Sequence, residues 1–453
     1  ALPISCLPSK GSGNLGHMKI TVIGLGYLGA THAVVMAKLG HEVIGIEPSQ
    51  QKVDDLRAGR VPFFEPGLDE ALKEVIAQGN IKFQTAHDES SLEADLHFLC
   101  VGTPQVHGSN AANTEYLFAA IEELAPYLRE DAVVAGKSTV PVGTALKLQA
   151  HLAARVNFEP HLAWNPEFLR EGNALKDSIS PDRLVFGVSD ERSEAVLRDV
   201  YKPVTDAGVP LIVMDIPTAE LVKVAANSFL ATKISFINAV AEVAEAAGAN
   251  TVKIAEAIGY DERIGKKFLH NGIGFGGGCL PKDIRGFMAR AEELGVSSIG
   301  KLLSEVDAIN LGRRDRVVHL AKEELGSIHG KKITVLGAAF KPNTNDIRDS
   351  PAISVALELT QAGAAVVVHD PISLDGVNVM YPTLTTEKNL DAALQDSELV
   401  ILATEWSVYR DIDPVKTKSL VKTATIIDGR NYLPLETFAA AGWRTLALGR
   451  NLG

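Results

Sequence analysis

The feature that most limits what this chain can fold into is a short β-branched run that opens directly into a glycine fingerprint. Ile20-Thr21-Val22-Ile23 is followed by Gly24-Leu25-Gly26-Tyr27-Leu28-Gly29, and the segment after it has helical length. In a strand-turn-helix unit the first glycine makes the tight turn, the second lets backbone approach a pyrophosphate, and the third lets helix and strand pack closely. The N–H groups at the helix start then face the phosphates, with Tyr27 and Leu28 in the same turn. Glu47 ends the next predicted strand about 20 residues on, where a carboxylate accepts hydrogen bonds from ribose hydroxyls. Pro48-Ser49-Gln50 follow it, with no arginine to receive a 2′-phosphate, so NAD is expected rather than NADP.

The same alternation of short strands and helical segments continues through Glu42-Val43-Ile44, Leu96-His97-Phe98-Leu99 and Ala132-Val133-Val134. This is the pattern of parallel strands joined by crossover helices. The loops Val101-Gly102-Thr103-Pro104 and Lys137-Ser138-Thr139-Val140-Pro141 follow strands of that sheet. Ligands of such sheets lie beyond the carboxyl ends of the strands, so both loops are expected to line the cofactor crevice, although each alone is an ordinary turn. From Pro217 to about Ala247 no proline or glycine interrupts an Ala-, Leu-, Val- and Glu-rich segment, and Gly248 supplies the stop, which predicts one long helix. A second alternating set runs from Lys331 to Gly337, through Ala365 to Val368 and Leu399 to Leu402, to Thr425-Ile426-Ile427. Its Gly337-Ala338-Ala339-Phe340-Lys341 lacks the full fingerprint and is expected to hold a different nucleotide group.

The expected fold class is therefore α/β, with two Rossmann-like doubly wound parallel-sheet domains joined by a central long helix and a helical dimerisation region. The boundaries are read as 18–215, 216–325 and 326–453, and residues 1–17 as a cloning remnant ahead of a native start at Met18. A length of 453 residues suits roughly three domains of about 150. The net charge of −12 argues against general nucleic-acid binding, and no run of 18 uncharged apolar residues argues for a membrane span. Cys100 ends an apolar run and reads as strand packing. With Cys6 set aside only Cys100 and Cys279 remain, which fits a reducing cytoplasm and no disulfide framework. Histidine and cysteine show no zinc-ligand spacing, and no metal is expected.

Gly274-Phe275-Gly276-Gly277-Gly278-Cys279-Leu280-Pro281-Lys282-Asp283 is the most informative segment for chemistry. Glycines let backbone crowd a ligand and present N–H groups to an oxyanion, and Lys282 nearby favours the thiolate that attacks carbonyl carbon. The alternative is a loop with an incidental thiol. Lys223 and Asn227, four apart on the long helix, share a face and together suit an oxygen that becomes negative, although a surface pair of Glu220 with Lys223 fits the spacing as well. Glu167 and Glu171 share a helix face if Pro166 starts a helix, which spacing alone does not separate from a solvated face.

Together these segments resemble the UDP-glucose/GDP-mannose dehydrogenase family. The likeness runs from Met18 to about Leu448 and includes Glu65-Pro66-Gly67-Leu68, Lys137 to Pro141, Asn165 to Glu171, Glu220 to Asn227, Arg263-Ile264-Gly265, the Cys279 loop, Phe340-Lys341-Pro342 and Asp428-Gly429-Arg430-Asn431. The resemblance implies a four-electron oxidation of a nucleotide sugar at C6 with two NAD. It implies Cys279 as nucleophile, Asp283 and Lys223 with water as proton handlers, Lys223 and Asn227 as oxyanion partners, Glu167 as base and Thr139 as the residue positioning water. It also places Glu171, Arg348 and Lys52 near NAD. Phe168, Leu169, Phe275, Gly276, Phe340, Lys341 and Arg430 would stand near the sugar nucleotide, and Arg263 would reach across a homodimer or higher homo-oligomer. Within the family the Arg263-to-Leu269 segment resembles the glucose branch, which implies UDP-glucose as substrate and UDP-glucuronate as product, with GDP-mannose as rival. Glu47, His270, Gly278 and Leu280 depart from the family's commoner Asp, Lys, Ser and Phe. A two-electron hydroxyacid-type dehydrogenase would share the fingerprint and the long helix but leave Cys279 idle.

Overall fold

The computed structural model describes residues 17–450, so the expected cloning remnant lies outside the described residues except for His17. The described chain forms two compact units. Unit 1 takes in residues up to 62, 66–103 and 114–220, and unit 2 takes in 63–65, 104–113 and the remainder from 221. The chain passes from the first to the second within one helix, Ile216–Ala247, which matches the long helix expected from Pro217.

Unit 1 is built on a sheet of β1 (Lys19–Ile23), β2 (Glu42–Ile46), β3 (Ile81–Gln84), β4 (Leu96–Leu99), β5 (Val133–Gly136), β6 (His161–Trp164), β7 (Leu184–Gly187) and β8 (Leu211–Met214). The order is β3-β2-β1-β4-β5-β6-β7-β8, so the strand sequence reverses direction across the sheet between β1 and β4. That switch point is where a doubly wound sheet opens a crevice for ligand. Strands β1 and β4 are buried along nearly their whole length, as expected where helices cover both faces of a sheet. The helix Tyr27–Lys38 shows this most fully, since every residue from Gly29 to Ala37 is buried. One departure from the all-parallel expectation occurs: β6 and β7 pair antiparallel, through Trp164 and Gly187.

Unit 2 carries a six-stranded, wholly parallel sheet of β9 (Lys332–Leu336), β10 (Ala365–His369), β11 (Thr385–Thr386), β12 (Leu399–Leu402), β13 (Thr425–Asp428) and β14 (Arg444–Ala447), in the order β11-β10-β9-β12-β13-β14. Alternate side chains feed two cores, as the two-residue period of a strand requires. Ile333, Val335 and Ile401 join Val355 and Leu359 on one face, whereas Leu336, Val400 and Leu402 join Trp406, Tyr409 and Phe438 on the other.

The Ile216–Ala247 helix is long and apolar enough to cross a membrane by length and composition alone, with 44% of that window buried inside the protein. Two of its buried polar side chains are bonded to other parts of the protein, as in a core helix: Ser235 Oγ donates to Val306 O (2.7 Å) and Asn238 Oδ1 accepts from Gly272 N (2.8 Å). Between that helix and β9 the chain forms the helices Thr251–Gly259, Leu280–Glu293, which Cys279 caps, and Ser298–Leu325.

Candidate active site

In unit 1 the fingerprint glycines divide the labour that the spacing assigns them. Gly24 has φ 86°, and a Cβ there would lie 2.8 Å from Val101 Cγ1. A Cβ at Gly29 would overlap Gly24 O and meet Cys100 Cβ, so this glycine lets the helix close on the strands. A Cβ at Gly26 meets nothing within 4 Å, which leaves open space where a pyrophosphate approaches the N-cap of the Tyr27–Lys38 helix. Glu47 is buried, accepts the Leu25 N–H (3.0 Å) and the Ser49 N–H (3.3 Å), and pairs with Lys52 (3.3 Å). These residues fit a bound NAD. The loops after β4 and β5 are laced together, since Thr103 Oγ1 donates to Thr139 O (2.7 Å) and Ser138 Oγ to Val101 O (2.6 Å). Val101, Gly102 and Thr103 belong to unit 1, and Pro104 begins a hairpin segment counted with unit 2.

Pro166 does not start a helix. Residues 165–170 are irregular, and the next helix begins only at Ala174. Local bonding explains the irregular path: Glu167 Oε2 accepts the Leu169 N–H (2.7 Å) within its own turn, an arrangement that competes with helix formation. Gly172, at φ 78°, then breaks the path and donates its N–H to the Tyr27 hydroxyl (3.1 Å). Tyr27 thus ties the Glu167–Glu171 loop to the fingerprint. Phe168 stacks under the Arg183 guanidinium (3.8 Å), with Leu169 beside it half-buried and Glu171 buried.

In unit 2 Cys279 is exposed and caps the Leu280–Glu293 helix. The first-turn N–H groups of a helix lack intrahelical acceptors and face an anion placed there. One turn along, Asp283 is buried, its N–H bonded to Cys279 O (2.9 Å). Its carboxylate accepts from Asn227 Nδ2 (2.6 Å) and Lys282 Nζ (2.7 Å). Lys282 is therefore paired with Asp283, a partner that the sequence reading did not foresee when it offered this charge to the thiol. Glu220, Lys223 and Asn227 are all buried, so these side chains do not lie on a solvated face. Glu220 accepts the Gly143 and Ala145 N–H groups at the start of the Thr144–Ala153 helix (2.6 and 2.8 Å).

The glycines before Cys279 seat the loop. A Cβ at Gly277 would lie 2.7 Å from the Phe340 ring, one at Gly276 would overlap Asp349 O, and one at Gly278 would overlap the Arg348 guanidinium. The Gly277 N–H is bonded to Arg348 O (2.9 Å), so it does not cradle an oxyanion. Asn310 and Arg314, which the sequence reading missed, hold Phe275: Asn310 accepts its N–H (2.7 Å) and donates to its carbonyl (3.0 Å), and Arg314 adds a donor (3.3 Å). Arg430 directs its guanidinium at Ala403 O (2.8 Å), Gly274 O (2.8 Å) and Phe340 O (3.2 Å), which clamps the same loop. Lys341 lies over the Phe340 ring (5.3 Å). Arg348 pairs with Asp346 (2.7 Å) and Arg263, 89% exposed, with Asp261 (2.7 Å).

Residues 18–205 match the NAD binding domain of the UDP-glucose/GDP-mannose dehydrogenase family, 217–311 its central domain and 334–434 its UDP binding domain. The chain belongs to the UDP-glucose/GDP-mannose dehydrogenase family. It is 38% identical over 444 residues to the UDP-glucose 6-dehydrogenase of Rhizobium meliloti, covering 96% of this chain and 100% of that one. It is 37% identical over 438 residues to UDP-glucose 6-dehydrogenase YwqF of Bacillus subtilis, with 96% and 98% covered. A solved UDP-glucose dehydrogenase from the hyperthermophilic archaeon Pyrobaculum islandicum is 37% identical, with a TM-score of 0.89 over 98% of this chain and 100% of that chain. As a member of the UDP-glucose/GDP-mannose dehydrogenase family the chain is an NAD-dependent oxidoreductase of nucleotide sugars, as its fingerprint and motifs led one to expect.

Proposed function

We propose that this protein oxidises UDP-glucose at C6 to UDP-glucuronate, with Cys279 as covalent nucleophile. The observation that carries the reading is an exposed cysteine at a helix N-cap, one turn from a buried carboxylate bonded to Asn227. NAD, when bound, accepts one hydride from C6 in each of two successive oxidations. The chain's own groups do the rest. Asp283 and Lys223, with water, take the alcohol proton as the aldehyde forms. The Cys279 sulfur bonds to the aldehyde carbon, and Lys223 and Asn227 hold the oxygen that becomes negative in the thiohemiacetal. Loss of the second hydride leaves a thioester. Water, positioned by Thr139 and deprotonated by Glu167, then releases the carboxylate and restores the thiol. Each sugar thus consumes two NAD and one water.

On this reading residues 18–215 hold NAD, 216–325 carry the cysteine and 326–453 hold the nucleotide. Glu171, Lys52 and Arg348 lie toward NAD, and Phe168, Leu169, Phe275, Gly276, Phe340 and Lys341 toward the sugar nucleotide. Arg430 acts through the Gly274 carbonyl that it clamps. The UDP-glucose 6-dehydrogenase names of the relatives favour UDP-glucose over GDP-mannose. A homodimer is supported by the long helix, which exposes Phe229 (66%), Phe236 (54%) and Val243 (68%) at seven-residue spacing, an apolar stripe suited to a second copy. An exposed working thiol fits the reducing cytoplasm.

Cys279→Ser tests the chemistry. The variant is expected to bind NAD and UDP-glucose by calorimetry yet form no UDP-glucuronate; unchanged acid production would remove the cysteine from the mechanism. Turnover on UDP-glucose, GDP-mannose and UDP-galactose tests the substrate, with UDP-glucose expected to give the highest kcat/KM.

A further inference from the structure

Three residues directly follow three neighbouring strands of unit 1: Cys100 after β4, Lys137 after β5 and Asn165 after β6. All are buried, together with His32 and Tyr201. Lys137 Nζ donates to Asn165 Oδ1 (2.8 Å), to the Asn165 carbonyl (3.4 Å) and to the Tyr201 hydroxyl (3.0 Å). The Tyr201 hydroxyl donates to the same Asn165 oxygen (2.7 Å), and Asn165 Nδ2 reaches Val185 O on β7 (2.9 Å). The ammonium also lies 5.6 Å from the ring centroids of Phe98 and Tyr201. Burying a lysine costs several kcal/mol, and a well-packed apolar residue would stabilise the end of a central strand as well, so its presence calls for a reason beyond stability.

Position supplies that reason. Lys137 precedes Thr139 by two residues and Asn165 precedes Glu167 by two. The main chain of Lys137 is bonded to Leu99 O (2.9 Å) and its side chain to the exit of β6, so one residue joins the loop that carries Thr139 to the loop that carries Glu167. The Asn165 N–H is also bonded to Gly136 O (2.7 Å), which sets the two strand ends level. The charged groups facing the lysine are consistent with this placement. Burial pushes the Cys100 thiol up to about 12, while the Lys137 charge acts downward and the Glu167 charge upward on it.

We propose that Lys137 is a positioning residue for hydrolysis of the thioester, fixing the spacing between Thr139 and Glu167 so that both address one water. This rests on the reading of Thr139 and Glu167 given under Proposed function. In the step concerned the water oxygen bonds to the thioester carbon, its proton passes to Glu167 and the carbon–sulfur bond breaks. Carboxylate and the Cys279 thiol are the products, and nothing is oxidised or reduced. The two hydride steps do not use this water and should be spared.

The experiment mixes the full-length protein with NAD and UDP-glucose in a stopped flow and follows it by intact-mass spectrometry, comparing wild type, Lys137→Met, Tyr201→Phe and Glu167→Gln. Lys137→Met is expected to release two NADH per site in a burst, then turn over at least ~10-fold more slowly, a loss of ~1.4 kcal/mol in the hydrolytic barrier. Its Cys279 should carry the acyl sugar nucleotide, with NAD affinity within about twofold of wild type. Tyr201→Phe, which removes one hydroxyl and keeps the lysine, should show the same defect more weakly and serves if Lys137→Met does not fold. The proposal is overturned if Lys137→Met, or Tyr201→Phe in its place, accumulates no adduct, or if the loss falls on NAD affinity or on the first NADH. If Glu167→Gln also accumulates no adduct, the assignment of the base fails as well. If Glu167→Gln accumulates adduct and the other variants do not, only the role of Lys137 fails.

Discussion

Each of the two sheets has its first strand near the middle and leaves it through a glycine of positive φ, Gly24 at 86° and Gly337 at 109°, yet the two turns lead to different ends. In unit 1 the second glycine of the turn opens onto space, and Glu47 at the end of the next strand holds Leu25, Ser49 and Lys52. In unit 2 the equivalent carboxylate, Asp370 just after β10, is surrounded by protein donors. Its Oδ2 accepts from the Ala338 N–H (2.8 Å), the Ala339 N–H (3.1 Å) and Trp406 Nε1 (3.0 Å), and its Oδ1 from the Ile372 and Ser373 N–H groups (2.9 and 2.8 Å). A carboxylate offers about four lone-pair sites, so Asp370 has no capacity left for a ribose. The same winding of strands therefore leaves the acid after the second strand beside a dinucleotide turn in one half and locks it into its own turn in the other, and the turn residues decide between them.

The hardest test of this contrast is Gly29→Ala. Its methyl would overlap backbone at Gly24, so unit 1 is expected to lose about 3 kcal/mol or more of stability, and NAD binding with it. Normal NAD affinity in a stable Gly29→Ala protein would break the comparison.

Acid should come next in size. Burial holds His32, His41, His87 and His97 of unit 1 below the usual histidine range, His87 down to about 4 and His97 to about 3. Above about pH 6.5 these rings are neutral in both folded and unfolded chains, so pH has no effect through them. As pH falls from about 6.5 toward 4 and 3 the unfolded chain takes up protons that folded unit 1 refuses, and stability drops. In unit 2, among the described residues, only His369 is held down in this way. Asp428 there is raised by burial, so its contribution is present at low pH and is lost as pH rises. Hydrogen exchange at pH 7 and about pH 4.5 should show unit 1 opening first; equal or reversed order would contradict the assignment.

Gly26→Ala sharpens the comparison further. With open space around the added methyl, the fold should be unchanged by thermal melting while NAD affinity falls at least ~10-fold, about 1.4 kcal/mol. Smallest is the exchange of acids. Glu47→Gln should weaken NAD by several-fold, about 1 kcal/mol. Asp370→Asn should lower the stability of unit 2 and leave NAD affinity unchanged, and a loss of NAD affinity there would mean that the second turn is not merely structural.

Much of this architecture was legible in the sequence because its signals are local. The fingerprint, the uninterrupted run from Pro217 and the glycine-rich approach to Cys279 each declare their geometry within ten to thirty consecutive residues. The Glu167–Glu171 segment could not be assigned from spacing because its path is set by a side chain bonding to its own turn and by an anchor at Tyr27, 145 residues from Gly172. Lys137 and Tyr201 meet across 64 residues, and Asn310 reaches Phe275 across 35. Polar residues on core faces leave no periodic mark, and only folding reveals their partners.

The central claim is that one site takes a sugar through two oxidations, the second of them on the Cys279 thiol. The direct measurement is the number of NADH formed per UDP-glucose consumed, with the product identified by mass. Two NADH and UDP-glucuronate are predicted. One NADH with release of the C6 aldehyde would contradict the account and return the chain to ordinary two-electron chemistry.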